Sequence, residues 1–430
     1  MSDIIQQFKE LRLGLRKNEV WRGVDFSSMM PDNLALPDPA SATGAVPSYP
    51  CNMPDLEALR LMTVNGSCPE PLQTLPNGIV YGSLRQALQQ CPDRVQPYLG
   101  RCPKSENPYE QLNAAHFQDG VFIYIPKGLQ ATRPLQIMSV TDGGQPLFLQ
   151  TRNLIVADAD SRLTLIHCDD SYGQSSSMAN NVTEIFAGQG AHVDYYKMQN
   201  MNDRCGLLNH TYAVCSEGAQ FHSVAITLNG GQLRNHTEVR QQGTHCRTEV
   251  HVLYLIDKEQ QLDNYIFVDH ALPECISHAL YKGIVDDAAQ AVFNGHVLVS
   301  PGAVKTEAYQ TNRNILLTDK AHVTSKPFLE IYNDDVKCSH GSTTGQLDNT
   351  ALFYIRSRGI SERTARTLLL YAFCDEVLQQ IALPTLRNSL SDMVKKRLHG
   401  ELTPCAECAL HCGTPCNGPE ADFHIDPSKL

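Results

Sequence analysis

Short runs of apolar or alternating residues recur along the middle of the chain, between about residues 116 and 345. Each run has about four to eight residues, is rich in Val, Ile, Thr and Tyr, and ends at Gly, Asp or Asn. The clearest are VFIYIP, LQIMSV, PLFLQTRNLIVAD, RLTLIHC, NVTEIFA, HVDYYKM, TYAVC, FHSVAITL, EVHVLYLI, AVFNGHVLV and NILLTD. The pattern predicts a mainly β domain over residues 116–345, with no helix between its strands.

Three architectures can hold so many strands without helices: a sandwich, a barrel or a parallel β-helix. Small residues mark corners in VADADSRLTL, FAGQGAHVDY and CSEGAQFHSV, each of which has the order strand, corner, strand. Such repetition favours a solenoid, in which each coil covers the apolar face of its neighbour. The period is loose, so the pattern alone gives the β-helix only a modest advantage.

Helical patterns flank this domain. Within residues 1–115 the pattern predicts an irregular helical region, which contains a helix over 1–17, a proline-rich linker and a helix over 82–91. Within residues 346–400 the pattern predicts three short amphipathic helices, which need the β domain or a partner to bury their apolar faces. Residues 401–430 form a cysteine-rich tail.

Composition narrows the class of protein. The chain has 430 residues, of which 42% are hydrophobic and 19% charged, as is usual in soluble proteins. A net charge of −11 argues against a nucleic-acid-binding surface, which needs clustered Lys and Arg. No apolar run reaches the length of about 18 residues that a membrane span needs. The amino terminus does not look like a signal or transit peptide, and the 15 cysteines are expected to be reduced, which together predict a cytoplasmic protein.

Common catalytic signatures do not occur in the sequence. There is no phosphate-binding GxxxxGK[ST], no HExxH, no GxSxG and no Rossmann glycine pattern, which argues against a pump, a hydrolase or a dehydrogenase. Cys338 and His340 offer other chemistry, because thiolate and imidazole are both ligands for metals such as iron. In an extended segment, their spacing puts both side chains on one face. Spacing alone nevertheless favours ordinary structural roles for the two residues.

Histidines are frequent in the β region. A bend would be needed to bring His270 near Cys275, because a proline separates them and their spacing is odd. We therefore expect structural or interface roles for these histidines. They are His236, His245, His251, His270, His278 and His296.

The sequence that flanks Cys338 and His340 is more specific for one protein family than the spacing of the two residues. DDVKCSHG, followed by TTGQLD and ALFYIRSRGI, resembles the SufB/SufD family of the SUF iron-sulfur cluster assembly system, and within it the SufD subunit. The resemblance extends through LYKGIVDDAAQAVFNGHVLV, KTEAYQTNRNILLTD, KPFLEIY, GVFIYIPKG and RKNEVW, and covers about three-quarters of the chain. It implies a right-handed parallel β-helix with helical amino-terminal and carboxy-terminal regions.

The resemblance also implies a function. We expect a non-catalytic scaffold subunit that pairs with SufB and with the ATPase SufC, which would carry out all ATP hydrolysis. A transient iron-sulfur cluster would form at the interface with SufB, where Cys338 and His340 supply ligands, and a reduced flavin is a candidate electron source in the complex. Residues 346–400 would dock SufC. The residues that match most closely there are Arg356, Arg358, Gly359, Ile360 and Arg366.

The tail departs from the family pattern. Cys405, Cys408, Cys412 and Cys416 have the spacing C-x2-C-x3-C-x3-C, which lets four thiols surround one metal or a small cluster. Zinc or an iron-sulfur cluster is one interpretation. A reduced, redox-active tail without metal is the other.

Two other functions remain open from the sequence. The chain could act as a SufB-like scaffold that forms a homodimer, and the sequence leaves open whether the isolated chain is a homodimer. A β-helix enzyme that acts on polysaccharides is the alternative from a different class. The lack of a signal peptide pattern and the many free cysteines argue against that enzyme.

Overall fold

The computed structural model describes residues 2–15, 18, 20–21, 33–37, 56–102, 107–142, 144–172 and 176–399. The protein is mainly β, with 49% of residues in strands and 20% in helices. The strands wind into a parallel β-solenoid of about eight turns, which confirms the predicted β-helix over the sandwich and the barrel.

Nineteen strands are present among the described residues. They are β1 (Leu59–Val64), β2 (Gln73–Thr74), β3 (Val80–Ser83), β4 (Val121–Ile125), β5 (Leu135–Asp142), β6 (Phe148–Ala157), β7 (Arg162–Tyr172), β8 (Ser177–Ala187), β9 (His192–Asn200), β10 (Cys205–Cys215), β11 (Gln220–Asn229), β12 (Gln232–Gln241), β13 (Arg247–Ile256), β14 (Gln261–His270), β15 (Ile276–Val285), β16 (Gln290–Val299), β17 (Thr306–Leu316), β18 (His322–Ile331) and β19 (Val336–Gly345). Strands β1–β3 fall inside residues 1–115, for which the sequence predicts helical and irregular structure. Their short runs are held by pairing with β4 and β5, which a local pattern does not reveal.

The strands form two sheets. Sheet I has the order β1-β5-β7-β9-β11-β13-β15-β17-β19, and sheet II has the order β18-β16-β14-β12-β10-β8-β6-β4-β3-β2. All neighbours are parallel except the pairs β2–β3 and β3–β4. From β4 onward each coil gives one strand to each sheet, so every strand before β18 pairs with the strand one coil later.

The corners from sheet II to sheet I repeat one backbone conformation. Seven consecutive corners contain a residue with φ between 55° and 73°. These residues are Gly128, Asp160, Gly190, Gly218, His245, Glu274 and Lys305. Hydrogen bonds link the corners of successive coils: the Gly190 N–H donates to the Glu217 carbonyl at 2.8 Å, and the Gly218 N–H to the Thr244 carbonyl at 2.9 Å. The small residues seen in the sequence therefore stack along one ridge of the solenoid.

The main hydrophobic core lies between the two sheets. It is built from inward residues of alternating positions, which is why the strands show a period of two. Examples from successive coils are Ile155, Ile185, Leu207, Val250 and Ile266, each at most 3% exposed.

Seven helices are described, and six of them cover the solenoid. They are α1 (Ser2–Leu15), α2 (Leu84–Gln90), α3 (Pro92–Val95), α4 (Pro108–His116), α5 (Asn349–Arg356), α6 (Glu362–Leu378) and α7 (Pro384–Leu398). The first four pack on the outer face of sheet II, where Phe8 of α1 contacts Tyr109 of α4 and Phe148 of β6. In the described part of the chain, no helix combines the length and hydropathy that crossing a membrane requires.

Helices α6 and α7 cover the outer face of sheet I, as their apolar faces require. Leu370, Val377 and Leu390 are buried there against the strands. Two polar contacts fix the position: Lys282 Nζ donates to the Phe373 carbonyl at 2.9 Å, and the Ala382 N–H donates to the Tyr196 hydroxyl at 3.1 Å. Helix α5 is the exception, because it projects beyond this surface with only Leu352 buried.

Candidate functional site

Cys338 and His340 lie on β19, the last strand of sheet I. Cys338 is in register with Ala308 of β17, and His340 is in register with Gln310. Ala308 and Gln310 are buried and face the space between the sheets. The thiol and the imidazole therefore share the inward face of the final coil, at the open end of the solenoid.

Cys338 is half-buried in apolar surroundings. Its side chain packs against a small cluster that contains Val297, Val299, Ala303 and Ala308. This burial raises the pKa of the Cys338 thiol, although a hydrogen bond to the Ala308 backbone lowers it slightly. The residue thus stays a neutral thiol until a metal ion or a partner supplies positive charge.

The surroundings of His340 are polar. The ring is exposed, and Gln310 beneath it is 2% exposed with no hydrogen-bond partner for either amide atom among the described residues. Farther along β19, the Ser342 hydroxyl donates to the Ser325 hydroxyl of β18 at 2.7 Å. Ser325 also accepts from Asn312 Nδ2 of β17 at 2.9 Å. The inward face around His340 is therefore polar, unlike the apolar surroundings of Cys338, and is suited to polar ligands.

The same end of the molecule carries two strands that each have one open edge. Within the described residues, β19 ends sheet I and β18 ends sheet II, so each offers a row of backbone groups to another chain. Phe328, Ile331 and Tyr332 lie beside these edges and are 54%, 38% and 56% exposed. Exposed apolar residues next to open strand edges are typical of an interaction surface.

The residues predicted to dock an ATPase lie at the hairpin between α5 and α6. Arg356 and Arg358 are exposed; the first pairs with Glu362 at 3.1 Å and the second donates to the Tyr354 hydroxyl at 2.8 Å. Gly359, with φ of 85°, makes the turn that follows α5. Ile360, just before α6, and Arg366, near the start of α6, are half-buried, so the five residues are brought together in one hairpin.

Two aromatic residues of this hairpin were not predicted from the sequence. Phe353 and Tyr354 of α5 are 73% and 59% exposed, the largest such fractions among the big hydrophobic residues described. The segment ALFYIRSRG indicates an exposed aromatic residue, because two adjacent aromatic residues on a short helix cannot both face inward. We name Phe353, Tyr354, Arg356 and Arg358 the α5 surface.

His270 and Cys275, for which the sequence predicts no joint metal site, do not come together in the described structure. His270 bonds Ser277 at 2.8 Å, whereas Cys275 Sγ points to the Gly243 carbonyl at 3.2 Å, so each has its own partner. The tail cysteines lie outside the described residues. Metal binding by Cys405, Cys408, Cys412 and Cys416 therefore stays a prediction, as does the involvement of a flavin.

Comparison with known proteins gives a consistent result. Residues 139–373 match the SufBD core domain of the SUF system for FeS cluster assembly, and residues 2–137 match the SufBD protein N-terminal region. The chain is similar to an iron-sulfur cluster assembly SufBD family protein of Synechocystis, at 30% identity over 90% of this chain and 88% of the relative. It is also similar to the iron-sulfur cluster assembly protein SufD of Escherichia coli, at 29% identity over 80% of each chain. The SufD of Bacillus subtilis is 25% identical over 75% of this chain and 74% of its own length.

Proposed function

The chain belongs to the SufB/SufD family of the SUF iron-sulfur cluster assembly system, and from this premise we propose that it is a SufD-type scaffold subunit. It would work in the cytoplasm, pair with a SufB subunit through the open end of the solenoid, and bind a SufC ATPase through the α5 surface. All ATP hydrolysis would belong to SufC.

One observation carries the proposal: Cys338 and His340 share the inward face of the last coil, next to two unpaired strand edges. A partner that extends the sheets would bring its own side chains over this face. The thiolate of Cys338 and the imidazole of His340 would then be two of the ligands for iron in a nascent cluster, which is the cargo of the site. The unbonded amide of Gln310 lies beneath and can bond to a water or to a ligand of that cluster.

The charge state of Cys338 fits a site that is completed by a partner. Its raised pKa keeps the isolated chain from presenting a reactive thiolate. Iron bound by the assembled complex would favour loss of the thiol proton. Assembly and metal loading would thus activate the residue together.

The test compares Cys338→Ala and His340→Ala with Ser339→Ala, which lies between them on the opposite face of β19. Each variant is expressed with SufB and SufC, and the iron and sulfide of the anaerobically purified complex are measured. We expect the first two to lose about tenfold or more of the cluster, the usual scale for damage to a metal site. Ser339→Ala should match the wild type.

Complex formation and folding are measured on the same samples by size-exclusion chromatography and circular dichroism. Equal cluster content in all three variants would contradict the proposed site. The open edges β18 and β19 also suit a second copy of this chain, which is the homodimeric alternative. A stable dimer that excludes SufB when all three proteins are present would favour that alternative and overturn the proposed pairing.

A further inference from the structure

A group of three possible metal ligands lies on the outer face of sheet I, away from the last coil. His222 of β11 is in register with Glu249 of β13, and His251 follows Glu249 two residues later on the same strand. Residues two apart on a strand share a face, so all three side chains project to the same side. We name His222, Glu249 and His251 the outer histidine cluster.

The three side chains converge. One ligand atom from each lies within 4.8 Å of the corresponding atoms of the other two. Ligands on a tetrahedral Zn²⁺ with bonds of about 2.0–2.1 Å are roughly 3.3 Å apart. Small side-chain rotations are therefore enough to close the cluster around one ion.

His251 is the least exposed member of the cluster. It is 7% exposed, and neither ring nitrogen has a hydrogen-bond partner among the described residues. A buried histidine without hydrogen bonds is costly for folding, and a bound ion would satisfy it.

The other two members are oriented by neighbours. Asp194 Oδ1 lies 3.2 Å from His222 Nδ1, an arrangement that keeps the proton on Nδ1 and leaves the lone pair on Nε2. Carboxylates commonly orient metal-binding histidines in this way. Arg247 donates to Glu249 Oε1 at 2.6 Å, while Glu249 Oε2 lies 3.8 Å from His251 Nε2. One carboxylate oxygen is thus held by a cation and the other faces the histidine.

We propose that His222, Glu249 and His251 bind one divalent first-row transition metal ion of the Fe²⁺ and Zn²⁺ class. Two imidazoles and one carboxylate are a ligand set that suits these ions and leaves coordination positions open. His222 and Glu249 are only half-buried, so an ion can enter from solvent. The site needs neither SufB nor SufC, and it is independent of the function proposed for Cys338 and His340.

The two sites are separated within sheet I. Strands β15 and β17 lie between β13 and β19, which places the strands of the two sites roughly 14 Å apart at about 4.8 Å per strand. They also lie on opposite faces, because Cys338 and His340 point between the sheets. One ion cannot bridge them, so their metal contents can be measured separately.

The test uses Co²⁺ as a spectroscopic probe, with the full-length chain in which all four tail cysteines are replaced by Ser. The outer histidine cluster should bind about one Co²⁺ per chain without the charge-transfer band that a thiolate ligand produces. His251→Gln and His222→Gln should weaken this binding by about tenfold or more. His322→Gln is the control, because His322 is an exposed histidine on β18, in the other sheet.

A second variant gives a gain of signal and does not depend on loss of binding. His222→Cys keeps a ligand at the same place but makes it a thiolate, so bound Co²⁺ should now show the charge-transfer band. Circular dichroism checks that each variant is folded. Absence of a nitrogen- and oxygen-bound Co²⁺ in the parent chain, unchanged affinity in His251→Gln, or an equal loss in His322→Gln would overturn the proposal.

Discussion

Buried histidines are the clearest residue-scale feature of this chain. In the described residues, five buried histidines have their pKa lowered by burial, because the low-polarity interior disfavours the charged ring. They are His167, His210, His236, His251 and His270. The unfolded chain binds protons at these positions more readily than the folded chain does, so folding stability should fall as the pH falls below about 6.5.

His270 allows a direct test of this pH dependence. Its pKa is lowered from 6.5 to about 4, so its contribution is intact above pH 6.5 and is lost progressively down to about pH 4. The loss has an upper limit of about 3 kcal/mol. His270→Gln removes the titration, and its free energy of urea unfolding should therefore fall less between pH 7 and pH 5 than that of the wild type. His322→Gln is the control because that ring is exposed; a His270→Gln chain with the wild-type pH dependence would contradict the argument.

Residue-scale prediction from sequence succeeds where one strand contains the whole pattern. The spacing of Cys338 and His340 predicts a shared face, and the structure places them so. The outer histidine cluster escaped prediction because His222 and Glu249 are one coil apart, and their meeting depends on the register of β11 with β13. No local spacing encodes that register. The EVH order of Glu249 and His251 was the only local signal.

At the scale of elements, apolar strands can be predicted from the sequence, whereas a buried polar strand cannot. Apolar runs predict β4 to β11, β13, β16 and β17, but none of them marks β12, β14, β15, β18 or β19. Strand β12, QLRNHTEVRQ, was missed because it carries few apolar residues, yet most of it is buried. Trp21 covers its outer face: its ring stacks on His236 and lies 3.9 Å from the guanidinium of Arg234. Burial of this strand depends on a distant segment, which a periodic pattern cannot show.

The stacked corners lead to a prediction about Gly190. Its φ is +65°, and a Cβ atom there would lie 2.6 Å from Asp160 Oδ1 in the corner one coil earlier. Gly190→Ala should lower the free energy of unfolding by about 1–2 kcal/mol, the usual cost of a left-handed conformation with a side chain. Gly144→Ala is the matched control, since a Cβ atom there would meet nothing within 4 Å beyond its chain neighbours, and its φ is not in the left-handed range. If urea unfolding showed the same loss of unfolding free energy in both variants, a specific role for the corner would be contradicted.

On the scale of the whole molecule, exposed apolar surface is concentrated at the carboxy-terminal end. Five of the seven exposed large hydrophobic residues in the described chain lie between positions 328 and 354. They are Phe328, Ile331, Tyr332, Phe353 and Tyr354. Helices cover the early strands of sheet II and the middle of sheet I on their outer faces, but the last coil and α5 are left without cover. This distribution supports two adjacent interfaces, one at the open strand edges and one at the α5 surface.

The α5 surface can be separated from the strand edges by mutation. The double variant Phe353→Ala and Tyr354→Ala should lose SufC while it retains SufB, because the aromatic pair lies on the hairpin and not on β18 or β19. Large exposed aromatic residues are common binding hot spots, and their loss costs about 2 kcal/mol or more, or roughly thirtyfold in Kd. Leu272→Ala is the control, since Leu272 is 39% exposed at a corner far along the chain from the hairpin. Titration calorimetry measures the affinity for SufC, and co-purification measures whether SufB is retained. If SufC bound the double variant as tightly as it bound Leu272→Ala, this chain would have to engage the ATPase by some surface other than α5.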